Sequence, residues 1–217
     1  MPYGVVLVFV HGFRGRAEQT FGAYPARLRH LVRETHPGLR VEAVIATPYA
    51  AGLSALVDDE ANMGVVLIDM GGSTTSVGVF LGGHIVHADA LAVGGHHVTM
   101  DIARGLSTRI AAAERLKTLY GSTILTASDE RDMIAVPHIG EDDDRETLNH
   151  VPRSQLVRII RPRVEEVVEL VRDRLRAAGF SAQAGRRVVL TGGASQLVGL
   201  PALGELELPP FVKHQIG

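Results

Sequence analysis

The chain has 217 residues, 46% of them apolar, and its 22 basic against 24 acidic side chains leave a formal net charge of −2. That composition is ordinary for a globular protein, allows one sizeable core or two small ones, and gives no electrostatic ground for nucleic acid or an anionic membrane surface as partner. Cysteine is absent, which excludes disulfides and thiolate metal sites and suits a reducing cytoplasm.

In chain order, Val5 to Val10 is an apolar run suited to a buried strand. It is too short for a membrane span, is followed by His11 and has no basic leader, so neither a transmembrane helix nor a secretion signal is expected. Tyr24 to Glu34 has the apolar spacing of a covering helix. With the turn His11-Gly12-Phe13 this head resembles the start of an α/β-hydrolase, a likeness that implies an oxyanion hole and a nucleophile elbow. No Gly-x-Ser-x-Gly occurs, however: the surroundings of Ser54, Ser73, Ser107 and Ser195 each lack at least one of the glycines. Without a nucleophile the hydrolase reading has no chemistry, and His11 reads as a turn histidine after a strand.

After the acidic run Asp58-Asp59-Glu60, the stretch VVLIDMGGSTTSVGVF from Val65 to Phe80 carries the most chemistry. A buried-strand pattern, Val65 to Met70, meets an Asp, turns on two glycines and leaves as a second strand, Thr74 to Phe80. Gly71 and Gly72 let the backbone approach a polyphosphate, while turn amides and the hydroxyls of Ser73, Thr74 and Thr75 offer donors to its oxygens. Asp69 is placed to hold the water shell of a magnesium ion. The competing reading is a tight hairpin turn, the commonest use of Gly-Gly between strands. A Gly82-Gly83 turn and a strand from His84 to Ala90 complete an antiparallel meander. His96-His97 has no third ligand at suitable spacing, so metal binding there is not expected.

Two helices follow, Val98 to Leu106 and Ala111 to Tyr120, with Gly105 and Ser107 loosening the connection. In the second, Glu114 and Lys117 are three apart and share a face, from which they can reach a ribose and a purine or form a solvated ion pair. Ile134 to Ile139 reads as an edge strand carrying Pro137, and Glu141 to Glu146 as a solvated loop. From Ser154 to Ala178 the positions Leu156, Ile160, Val164, Val167, Val171 and Leu175 recur at intervals of three and four, which defines one long amphipathic helix. Pro162 inside it should kink the helix or mark its true first turn, and Gly179 is placed to cap its end. Arg186 to Leu190 returns to the sheet and runs into a second glycine pair, Thr191-Gly192-Gly193-Ala194.

Five ordered segments carry a family resemblance: ATPYAAGLSALVDDE, GVVLIDMGGSTTSVGVF, ALAVGGHHVTMDIARGLSTRIAAAERLKTLYGS, SQLVRIIRPRVEEVVELVRDRLRAAG and VVLTGGASQLVGLPAL. From about Val44 to Leu203 the chain resembles the back half of FtsA, the bacterial cell-division family of actin/Hsp70-like ATPases. The likeness implies an α/β, actin-like (ribonuclease H-like) lobe with a mixed sheet and packed helices, to which the head adds a strand-helix segment. It implies ATP and magnesium as ligands, with Asp69, Gly71, Gly72, Ser73, Thr74 and Thr75 as the second phosphate loop. Glu114 and Lys117 would face ribose and base, and Gly192, Gly193 and Ala194 would form the adenosine loop. Pro48 to Leu56 would be the hinge helix between lobes.

The expected divisions are a hydrolase-like segment 1–40, a hinge region 41–63, a nucleotide-binding subdomain 64–97 with 186–203, a helical outer subdomain 98–185 and a tail 204–217. The first phosphate loop, the small self-association domain and the membrane-anchoring helix of the family are not found in this sequence, so the chain reads as a partial lobe joined to an unlike head, with weakened ATP binding. By resemblance its partners are the C-terminal tail of FtsZ and other division proteins, and its place is cytoplasmic, at the inner face of the membrane at the division site. At most a weak ATPase is expected, because Ala43 to Thr47, with only Glu42 beside it, lacks a residue to orient water. The alternatives are a hydrolase-like fragment without its nucleophile and a non-catalytic interaction module.

Overall fold

The structure, a computed structural model, describes residues 4–10, 24–35, 39–137, 148–180, 187–207 and 212–214. Strand β1 (Gly4–Val10) pairs in parallel with β2 (Leu39–Ala46), and helix α1 (Tyr24–Thr35) lies between them in sequence. β2 leads directly into α2 (Thr47–Ala55), where Pro48 occupies the first turn, whose amides have no intrahelical acceptor in any case. The acidic run forms the first turn of a short helix, α3 (Asp58–Met63), where carboxylates meet the positive end of the helix dipole. Glu60 is buried, accepts the Val57 amide at 3.3 Å and pairs with Arg187 at 3.6 Å.

The expected meander forms as β3 (Val65–Met70), β4 (Thr75–Leu81) and β5 (His84–Leu91), all antiparallel. Gly82 and Gly83 make its second turn at φ +60° and +76°, a region closed to most side chains. Downstream come α4 (Gly95–Gly105), α5 (Ile110–Tyr120), a hairpin of β6 (Met133–Pro137) with β7 (Leu148–Pro152), and the long α6 (Arg153–Ala177). The chain then adds β8 (Val188–Thr191), a 3-10 turn (Gly193–Gln196), α7 (Leu200–Glu207) and β9 (Val212–His214). The main sheet is mixed, in the order β5-β4-β3-β8-β9, with β8 parallel to β3 and β9 parallel to β8.

Alternation along β3 and β8 sends side chains to two different cores. Val66, Ile68, Met70, Val188 and Leu190 join the larger cluster, which includes Val98 and Ile102 of α4 and Leu156, Ile160 and Val164 of α6. Val65, Leu67 and Val189 join Phe80 and Ala55 in a smaller cluster on the α2 side. A Cβ on Gly52 would lie 2.1 Å from the tip of the Phe80 ring, so α2 reaches the sheet only because that position is glycine.

Several expectations are revised here. Pro162 does not mark the first turn of α6, which starts at Arg153. It lies well inside the helix on its exposed side, as does Arg158, whose carbonyl loses its amide partner where water can replace it. The strand read as ending at Ile139 is described as far as Pro137 and pairs with β7, which the polar stretch Leu148–Pro152 gave little reason to expect. His11 to Phe13 and Glu141 to Glu146 fall outside the described residues. The segment read as a tail from Gly204 continues α7 and supplies β9.

Gly179 ends α6 as expected, at φ +81°, with its amide on the Arg176 carbonyl at 3.1 Å and the Phe180 amide on the Leu175 carbonyl at 2.9 Å. This is a Schellman motif, which requires a left-handed residue. Replacing Gly179 by Ala is expected to lower unfolding free energy by about 1 kcal/mol. A urea titration checks it: the midpoint falls while the slope stays constant.

Candidate functional site

Because β3 and β8 run in parallel and in register, with Asp69 beside Thr191, their C-terminal ends deliver both glycine pairs to one edge of the sheet. That is where ligands bind in open α/β sheets. The two turns touch. Gly192 has φ +87°, and a Cβ there would lie 2.5 Å from Asp69 Oδ1 and 2.6 Å from the Met70 carbonyl. Ser76 donates to Asp69 Oδ2 at 3.4 Å from the neighbouring strand.

The first glycine turn is closed by the Gly71 amide on the Thr74 carbonyl at 2.9 Å. It is fastened from outside by α4. The Gly95 amide bonds the Gly71 carbonyl at 2.9 Å and the His96 amide bonds the Gly72 carbonyl at 2.7 Å, so two of the otherwise unpaired donors at the helix start are used on the loop. Gly94 makes this approach possible, since a Cβ there would come within 2.5 Å of the Gly71 carbonyl oxygen. The amides of Gly72 and Ser73 have no protein partner among the described residues, and a Cβ on Gly72 would meet nothing within 4 Å. His97 is used locally, its Nδ1 accepting the Gly94 amide at 3.2 Å.

A cleft of about 350 Å³ is lined by Gly71, Gly72, Gly95, Glu114, Lys117, Gly193 and Ala194, with Leu119, Tyr120, Leu197 and Val198 as apolar wall. A second cavity of about 300 Å³ is lined by Ala51, Ser54, Asp69, Thr191 and Gly192, and shares Gly193 and Gln196 with the first. Of the residues expected at the site, these cavities gather Asp69, Gly71, Gly72, Glu114, Lys117, Gly192, Gly193 and Ala194. Ser73 and Thr74 sit in the turn without lining either cavity. Thr75, expected among the phosphate donors, is fully buried and gives its hydroxyl to the Val93 carbonyl at 2.8 Å, so it shapes the loop from beneath.

Glu114 and Lys117 do form an ion pair, at 2.7 Å, solvated on the carboxylate side, where Glu114 is half exposed. Lys117 is only 12% exposed and also bonds the Gly95 carbonyl at 3.1 Å and Thr99 Oγ1 at 2.9 Å. Burial by itself would raise the Glu114 carboxyl, but hydrogen bonds from Lys117 and Thr99 and the charges of Lys117 and His96 outweigh it and hold it below the usual carboxylate range. It is therefore charged at neutral pH.

Sequence reasoning missed Arg153, Gln196 and Thr99. Arg153 reaches the cleft from the start of α6, donating through Nε to the Tyr120 carbonyl at 3.0 Å and pairing with the buried Asp129. Backbone and side-chain bonds from Thr126 hold the Asp129 carboxyl low, and Arg153 adds to this against the opposing effect of burial. No local pattern marks Arg153. Gln196, three residues past the second glycine pair, was legible as a candidate from that position alone.

Comparison with known proteins gives this geometry a lineage. The family model described as "Cell division protein FtsA" matches residues 66–214. The cell division protein FtsA of Rhizobium meliloti is 61% identical over 163 residues, which make up 75% of this chain and 37% of that protein. That of Bacillus subtilis is 35% identical over 168 residues, 77% of this chain and 37% of that protein. The chain thus spans well under half the length of these curated relatives. Among solved structures, MreB5 of Spiroplasma citri bound to ADP superposes with a TM-score of 0.72 at 19% identity, over 99% of this chain and 64% of that one. The PilM-PilN type IV pilus biogenesis complex superposes with a TM-score of 0.59 at 22% identity, over 81% of this chain and 43% of that one. These neighbours establish the actin-like fold, and the first takes in nearly the whole chain, the β1-α1-β2 head included. No helix among the described residues is long and apolar enough to cross a membrane. The family model and the identity to its curated members agree: the chain belongs to the FtsA family of bacterial cell-division proteins.

Proposed function

We propose that this lobe forms the nucleotide-binding half-cleft of an actin-like division protein and works as a binding switch in septum assembly. The observation that carries the reading is the meeting of two glycine turns at the carboxyl ends of β3 and β8, with Asp69 against Gly192 and an open cleft beside them. The amides of Gly72 and Ser73, unpaired among the described residues, and the Ser73 hydroxyl in the same turn suit phosphate oxygens. Glu114, half exposed, suits ribose hydroxyls, with Lys117 beside it; Gly193 and Ala194 leave room for the nucleoside against the wall of Tyr120 and Leu197. The MreB5 relatives in fold were solved with ADP and with AMPPNP, which supports a nucleotide as the ligand class.

Magnesium fits the donor set. Asp69 offers one hard carboxylate in a polar cavity beside Ser54 and Thr191, and this ion usually keeps several waters while taking one or two carboxylates and phosphate oxygens. The lobe supplies only part of the contacts a closed cleft would give, so affinity is expected to be weak and hydrolysis slow at most. The outer helical part, around Arg104 to Tyr120 and Ser154 to Arg174, is our candidate face for the C-terminal tail of FtsZ, with action alongside other division proteins at the inner face of the membrane.

A thermal-shift titration of the chain with magnesium ATP tests the site, since a ligand that binds only the folded state raises the melting temperature with its occupancy. The expected result is a saturable rise that Gly72→Val abolishes while leaving the unliganded melting temperature nearly unchanged, because that position opens to empty space. No rise with a cooperative melt would remove nucleotide binding from the account. For the partner, fluorescence anisotropy of a labelled FtsZ tail peptide is expected to rise saturably with the chain. Charge reversal at Arg158, exposed on α6, is expected to weaken it severalfold by removing a surface cation.

A further inference from the structure

Thr99 lies on α4 and is wholly buried, so it cannot touch a ligand in the cleft. Its hydroxyl is nonetheless where the site's parts meet. It lies 2.5 Å from Glu114 Oε2 and 3.1 Å from the Gly95 carbonyl, and it accepts from Lys117 Nζ at 2.9 Å. Lys117 gives its other two donors to the Gly95 carbonyl at 3.1 Å and to Glu114 at 2.7 Å. Gly95 and His96 in turn hold the carbonyls of Gly71 and Gly72 at 2.9 Å and 2.7 Å. A Cβ on Gly95 would also stand 3.0 Å from Ala194 Cβ, so the second glycine turn abuts the same point.

A buried threonine on a helix commonly bonds the carbonyl four residues back and does nothing more. The single proton of Thr99 has a nearer acceptor, a charged carboxylate on another helix, and a hydrogen bond to a charged acceptor is stronger than one to a neutral carbonyl. A continuous hydrogen-bonded path thus runs from Glu114, at the cleft surface, through Thr99 and Lys117 to the two carbonyls of the first glycine turn. We propose that Thr99 is a positioning residue that couples the Glu114–Lys117 pair to this turn, so that the sugar and the phosphates of a nucleotide are read together and not independently. The ligand in this inference rests on the nucleotide reading above; the hydrogen-bonded path does not.

The test uses the full chain with Thr99→Val, which keeps the shape and removes the hydroxyl, and Thr99→Ser, which keeps the hydroxyl. One readout is amide hydrogen exchange at Gly95 and His96 without ligand. The other is affinity for magnesium tripolyphosphate, which has neither sugar nor base, beside magnesium ATP. Thr99→Val is expected to speed exchange at both amides and to weaken tripolyphosphate and ATP alike by about tenfold, the worth of one net hydrogen bond, while Thr99→Ser behaves as the unaltered chain. Unchanged exchange at Gly95 and His96 overturns the coupling. So does a tripolyphosphate affinity that survives while that for ATP falls, because Thr99 would then serve the ribose-facing pair alone. If the unaltered chain binds neither ligand, the nucleotide reading fails and exchange alone decides the coupling. Should Thr99→Val not melt cooperatively, Lys117→Met removes the ammonium from the same path, and unchanged exchange at Gly95 and His96 in that variant overturns it equally.

Discussion

The carbonyls of Gly71 and Gly72 point into the first two amides of α4, and the rest of the site depends on that contact. A helix start leaves donors without partners, and a glycine turn leaves carbonyls without partners. Joining them satisfies both and leaves the outward amides of the turn open. Gly94 is the condition for it, because any side chain there would displace the turn's carbonyls. The second glycine turn is fixed against the first in the same manner, through the absence of a Cβ on Gly192 beside Asp69. Close approach of backbone to backbone, made possible by missing side chains, therefore builds the cleft, and charged residues line it afterwards.

The sheet makes this geometry rigid. β3 is paired on both edges and its side chains feed cores on both faces, with α4 and α6 against one and α2 against the other. Asp69 at its end inherits that rigidity, and α2 leaves β2 to pack on Phe80 through the gap at Gly52. Loops that must hold a small ligand gain most from being mounted on elements of this kind, since preorganised donors lose little freedom on binding.

Much of this was legible in the sequence because it is local. The meander, its two glycine turns and helices α1, α4, α5 and α6 follow from period and punctuation, and six apolar positions of α6 are buried as their spacing requires. What was not legible is what depends on distant partners. Nothing near Thr75 says that its hydroxyl faces Val93, and nothing near Thr99 says that Glu114 lies opposite. Arg153 enters the cleft because α6 happens to start there. Of the two places open to Pro162, a kink or the first turn, the first turn is excluded only by seeing that α6 begins nine residues earlier, at Arg153. The family resemblance supplied the order of the loops; the contacts that join them came only from the structure.

The central claim is that the two glycine turns and the start of α4 act as one nucleotide-binding unit. Its most direct test is a two-dimensional amide spectrum of the nitrogen-labelled chain titrated with magnesium ATP. The account predicts saturable shifts concentrated at Gly72, Ser73, Gly193 and Ala194, accompanied at the same ligand concentrations by Gly95 and His96. Shifts confined to one turn, or shifts elsewhere on the surface with these six amides unmoved, would contradict it.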